Sequence, residues 1–172
     1  MKVKANGINI NYQVDGPERA PWLIFSNSLA TSLAMWDEQA AALKDRFRVI
    51  RYDQRGHGET EAPAGRYAFD TLLDDALALM DALGIAKATF AGLSMGGATA
   101  LGLAERHPDR FERIIVADSP CQSTPQSSQQ WESGSRWRRN KASKPWSSRP
   151  SPAGFRPRRS RKIRTISTRS AP

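Results

Sequence analysis

The chain has 172 residues, enough for one domain with a sizeable core and short of the usual length for two. Its net charge of +9 is unevenly spread: residues 1–120 hold 13 basic and 16 acidic side chains, while residues 121–172 hold 13 basic and one acidic, Glu132. No run approaches the roughly 18 apolar residues of a membrane span, and the opening MKVKANGINI lacks the long apolar stretch of a secretion signal, so a cytoplasmic protein off the membrane is expected.

The segment KVKANGININYQV alternates around Asn6-Gly7, a dipeptide suited to the type I′ turn of a hairpin. WLIFS, Trp22 to Ser26, is a continuous apolar run of the buried-strand type. A helix is expected from about Leu33 to Lys44, then a strand, FRVIRYD, ending at Asp53 and followed by the Gly-rich turn RGHGET. From Asp70 to Leu83 the spacing of Leu73, Leu77 and Met80 predicts an amphipathic helix, with Asp70 as its cap and Gly84 as its stop. KATFAGL reads as a third buried strand, MGGATALGLAERH as a helix stopped by Pro108, and RIIVAD as a fourth. Strands alternating with helices after an opening hairpin indicate an α/β fold with a mainly parallel sheet.

After Pro120 this rhythm stops. Residues 121–172 contain no Leu, Val, Met or Tyr and are dominated by Ser, Arg and Pro. Such a segment cannot bury enough apolar surface to offset its conformational entropy, so a disordered tail is expected there. The tail carries Trp131, Trp137 and Trp146 among its cations, a combination that can hold nucleic acid through phosphate contacts and base stacking. No RNA- or DNA-binding fold accompanies it, so no specific nucleic-acid partner is expected; charge-driven, salt-sensitive binding is the alternative function for the chain. Cys121 is the single cysteine, which excludes an intramolecular disulfide; with no basic partner in view it reads as a plain free thiol.

Chemistry is concentrated in GLSMG, Gly92 to Gly96. Three positions of a G-x-S-x-G pattern would match by accident roughly 0.06 times in a chain of this size. Context adds what the pattern alone lacks: a strand ending at Leu93 and a helix starting near Met95 put Ser94 on a strand-to-helix turn. Gly92 and Gly96 remove the Cβ atoms that would obstruct so sharp a turn. The helix N-terminus offers free N–H groups, that of Met95 among them, to a developing oxyanion.

With SNSLATSLAMW (Ser26 to Trp36) and YDQRGHG (Tyr52 to Gly58), this segment resembles the α/β-hydrolase family, and its SNSL opening is most similar to the 3-oxoadipate enol-lactonases. The resemblance covers residues 1 to about 120 and implies the N-terminal part of that fold, with a cofactor-free, metal-free hydrolase acting on a small ester or lactone. It also implies roles: Ser94 as nucleophile, and the N–H groups of Leu29 and Met95 as the oxyanion hole. Asn27, Ser28 and Trp36 become candidates for the pocket, although a Trp on a helix is more often core. His57 is expected to buttress the site.

A serine nucleophile needs a base, and that base an orienting acid. In this fold the order along the chain is Ser, acid, His. His107 is the only histidine after Ser94, and the length of the intervening helix puts it roughly 20 Å away, so no triad His is present. Asp118, just past the strand RIIVAD, is the candidate acid. No helical cap or later strand is recognisable after Pro120. The switch in composition there fits a reading-frame shift near codon 121, and would leave RIIVAD as an exposed, aggregation-prone sheet edge. Oligomeric state is left open.

Overall fold

The structure is a computed structural model that describes residues 1–121. The tail expectations, including disorder and the roles of Trp131, Trp137 and Trp146, fall outside the described residues. Six strands form one mixed sheet in the order β1-β2-β4-β3-β5-β6. They are β1 (Lys2–Ala5), β2 (Ile8–Asp15), β3 (Trp22–Ser26), β4 (Arg48–Tyr52), β5 (Ala88–Leu93) and β6 (Phe111–Ala117). β1, β2 and β4 pair antiparallel; β4, β3, β5 and β6 run parallel. Among the described residues no helix is long and apolar enough to cross a membrane.

The expected hairpin forms, with Asn6 and Gly7 both at positive φ (44° and 77°) as a type I′ turn requires. The continuous apolar runs are explained by burial on both faces. In β3, Ile24 joins a cluster with Ile50, Phe90, Leu73, Leu79, Met80 and Leu103, under α2 (Phe69–Ala82) and α3 (Met95–Arg106). Its neighbours Leu23 and Phe25 pack on the opposite face with Val49, Ala91 and Ala40 of α1 (Asp37–Leu43). A strand sandwiched this way has no polar side to show, so alternation disappears.

Three local expectations are corrected. The single helix over 33–44 is a 3₁₀ turn, Leu33–Trp36, followed by α1. The break comes where Trp36 leaves the helical path (φ −102°, ψ 10°) and its ring stacks on Phe25, 4.6 Å between centroids. Asp70 does not cap α2: the N-cap is Ala68, and the Asp70 carboxylate lies 2.8 Å from Arg106 of α3. An ion pair between the two helices has taken the side chain that the cap would have used. The strand before the Gly-rich turn stops at Tyr52, one residue before Asp53.

Candidate active site

The carboxyl ends of β3, β4, β5 and β6 converge on one edge of the sheet, and each leads into a segment of interest. β5 delivers Ser94, the residue between Leu93 and the start of α3. Its backbone is strained, at φ 52° and ψ −110°, a region an L-residue rarely occupies. The turn is held from the side, because the Ser94 N–H donates to the Ala117 carbonyl at the end of β6, 2.9 Å away. It also explains both flanking glycines. A Cβ on Gly92 would press into the Gly96 carbonyl and stand 2.6 Å from the Gly97 nitrogen. A Cβ on Gly96 would meet the Ser26 carbonyl group, with its carbon 2.7 Å away. β5, β3 and α3 therefore approach one another at backbone contact around the serine.

Leu29 follows β3 in the loop that carries Ala30 at φ 60°. Ser28, just before it, donates its N–H to the Met35 sulfur at 3.3 Å, and so is already engaged. Among the described residues neither the Leu29 nor the Met95 N–H has an acceptor. The Met95 N–H, at the N-terminus of α3, has the dipole behind it that favours an anionic oxygen.

Asn27 is completely buried. Its Oδ1 accepts the Gln54 N–H at 3.0 Å, and its Nδ2 donates to the carbonyls of Ser28 and Thr31, at 3.0 and 3.1 Å. Ser28 is half-buried. Trp36 packs beside Leu43 and Phe47 against the cluster beneath α1.

The turn after β4 is dense with buried polar groups. Asp53, 1% exposed, accepts from Leu33 N, Glu59 N and Asn11 Nδ2 at 2.6, 2.9 and 2.7 Å. Gly58 folds over this carboxylate at φ 50°, and a Cβ there would overlap it. Arg55 reaches Asp75 of α2 through Nε and Nη2, at 2.8 and 2.5 Å. That hydrogen bond, above the opposing cost of burial, lifts the Arg55 pKa and keeps the guanidinium charged. His57 is half-buried, its Nδ1 3.1 Å from the Arg55 carbonyl, an arrangement in which Nδ1–H donates to the chain. Beneath the site Tyr52 lies 3.1 Å from the Ser26 hydroxyl; burial drives its pKa far above the ordinary tyrosine value, so the phenol stays neutral.

Asp118 directly follows β6, exposed and at φ 46°. The pairing of Leu93 with Ala117 sets it on the strand end beside Ser94. His107 lies at the opposite end of α3 from Ser94, exposed. Cys121 is an exposed free thiol. Sequence reasoning did not single out Gln54, in the turn after β4, or Thr99 of α3, which meet in the interior (Thr99 Oγ1 to Gln54 Oε1, 3.3 Å). Neither stands in a local pattern that would mark it, since the two are 45 positions apart.

The family described as "alpha/beta hydrolase fold" matches residues 21–145, past residue 120, about which the resemblance was expected to end. Over 115 residues the chain is 48% identical to 3-oxoadipate enol-lactonase 2 of Acinetobacter baylyi, covering 67% of this chain and 43% of that one. Its namesake 3-oxoadipate enol-lactonase 1 from the same organism is 45% identical over 119 residues, 69% and 44% of the two chains. The crystal structure of the enol-lactonase from Burkholderia xenovorans LB400 superposes with a TM-score of 0.65 at 52% identity, covering 66% of this chain and 45% of that chain. The chain thus spans less than half the length of these relatives.

Proposed function

The chain belongs to the alpha/beta hydrolase family, and from that premise we propose that Ser94 is the nucleophile of a carboxylic-ester hydrolase whose substrate is an enol-lactone of the 3-oxoadipate type. The observation that carries the reading is the strained Ser94 turn, wedged between two glycines that admit no Cβ, at the N-terminus of α3. Substrate class follows the two relatives and the solved structure, all three named as enol-lactonases.

In this mechanism Ser94 Oγ adds to the lactone carbonyl carbon as its proton leaves to a base. The carbonyl π-electrons move onto oxygen, and the Leu29 and Met95 N–H groups donate to the oxyanion. Collapse breaks the ring C–O bond and leaves an acyl-serine, which water hydrolyses by the same addition and collapse. Asp118 is the acid on the strand end beside Ser94. No metal or cofactor enters any step, and neither a membrane nor a specific nucleic acid is a partner.

The base is the weak link. The sequence has two histidines, one bonded through Nδ1 to its own loop and the other at the far end of α3. Neither serves Ser94, so this chain on its own is an impaired hydrolase. Losing the histidine of such a triad costs on the order of 10⁶ in turnover and leaves about 10³–10⁴ over water from oxyanion stabilisation and binding.

The test is hydrolysis of p-nitrophenyl acetate and of an enol-lactone by this chain beside Ser94→Ala. A weak rate that disappears in Ser94→Ala is expected. Equal rates for the two proteins would end the claim for this chain.

A further inference from the structure

Gln54, fully inside the protein at 1% exposure, is a costly residue to bury, since each of its amide atoms must find a partner. Its partners lie on two different elements of the site. Nε2 donates to the Asn27 carbonyl at 2.7 Å, and the Gln54 backbone N–H donates to Asn27 Oδ1 at 3.0 Å. Asn27 in turn holds the carbonyls of Ser28 and Thr31, which bracket Leu29. On its other side Gln54 Oε1 and the Met95 carbonyl share the single proton of the Thr99 hydroxyl, at 3.3 and 3.0 Å. Asn27 and Thr99 are both at 0% exposure. One amide thus touches the loop that carries Leu29 and, through Thr99, reaches the first residue of α3.

We propose that Gln54 and Thr99 are positioning residues, forming a buried relay that fixes the Leu29 N–H against the Met95 N–H. Hydrophobic packing could hold the turn after β4 against α3 equally well, but it would not set the rotation of a loop about its own backbone. Directional hydrogen bonds do, and two donors converging on one oxygen tolerate little error. The relay deepens the hydrolase reading and rests on it for its catalytic meaning; its mechanical part stands on the hydrogen bonds alone.

Thr99→Val keeps the shape of the side chain and removes the hydroxyl, while Thr99→Ser restores the hydroxyl without the methyl. Two readouts separate the relay from the reading beneath it. The first is amide hydrogen exchange at Ser28–Thr31 and at Met95–Thr99. The second is the rate at which a fluorophosphonate labels Ser94, a reaction that draws on the same donors.

In Thr99→Val, exchange should quicken in both segments and labelling should slow about tenfold, in line with displacement of a donor by a fraction of the distance that costs 10². Thr99→Ser should return both to the native values. Gln54→Met, which removes both side-chain arms and leaves the backbone bond to Asn27, should exceed Thr99→Val in each readout. Unchanged exchange at Ser28–Thr31 in Thr99→Val and Gln54→Met would overturn the relay, as would failure of Thr99→Ser to rescue. Absence of any Ser94 labelling in the native chain would end the catalytic claim for this chain and leave the exchange data to decide the relay.

Discussion

Ser94 is held at a backbone conformation that costs about 1–3 kcal/mol for an L-residue, and only the side chain gives it a reason to be there. Two substitutions separate the strain from the chemistry. Ser94→Gly relieves the dihedral strain and should stabilise the fold by about 1 kcal/mol. Ser94→Ala keeps the strain and should change stability by less than about 0.5 kcal/mol. Both remove the nucleophile. Urea denaturation of the three proteins measures the difference; equal stability for the Gly and Ala variants would mean that the turn stores no strain. At Gly96 the sign reverses. An added methyl meets the Ser26 carbonyl, which is backbone in a central strand, so Gly96→Ala should cost about 1–3 kcal/mol or more in the same measurement.

How much of the molecule was legible in the sequence depends on how local its causes are. The hairpin turn, the doubly buried strands and the start of α3 each follow from a few adjacent residues, and they appear where the patterns put them. The serine turn was legible for the same reason. What escaped is everything decided across the chain. The cap expected from Asp70 lost to an ion pair with Arg106, 36 positions later, and Trp36 bent the expected helix to reach Phe25. The Asn27–Gln54–Thr99 relay joins three segments and leaves no mark in any one of them.

Arg55 shows the same long reach with larger stakes. It and Asp75 are both buried, their side chains 9% and 3% exposed, and they anchor the turn after β4 onto α2. Asp75→Ala would strand a guanidinium inside the protein and should cost about 3–5 kcal/mol by chemical denaturation. Replacing both partners by apolar residues should recover much of that loss. A double variant as unstable as Asp75→Ala alone would mean that the pair is not the unit that matters.

A weaker tie binds the same turn to the hairpin. Exposed Glu61 accepts from the Asn9 N–H and Nδ2 at 2.9 and 2.6 Å, and these bonds, the backbone one foremost, hold its pKa below the ordinary 4.5. A depressed folded pKa means a contribution present above the unfolded value and lost as pH falls through the folded one. The Asn9 amide resonances should therefore shift with a midpoint below 4.5 on acidification. A midpoint at or above that value would show that the bonds do not favour the carboxylate.

At the scale of the whole sheet, cover is uneven among the parallel strands of the described residues. β4, β3 and β5 are covered on both faces, as parallel strands normally are. β6 carries a sequence of the same kind, FERIIVA, yet Ile115 is 53% exposed and Val116 36%. It also stands last in the strand order of the described residues, with one neighbour, β5. Unpaired backbone donors and acceptors next to exposed β-branched side chains are a template for another chain. The matched relatives are more than twice as long as the segment they share with this chain. Self-association through β6 is therefore expected for the chain alone. Ile115→Lys places a charge on that surface without touching the clusters under α1 or α2, so it should raise the monomer fraction at a fixed concentration with little change in thermal midpoint. Sedimentation velocity across a concentration series reads this directly. A native chain that sediments as a monomer and melts cooperatively at the highest concentration would show that the edge is already protected.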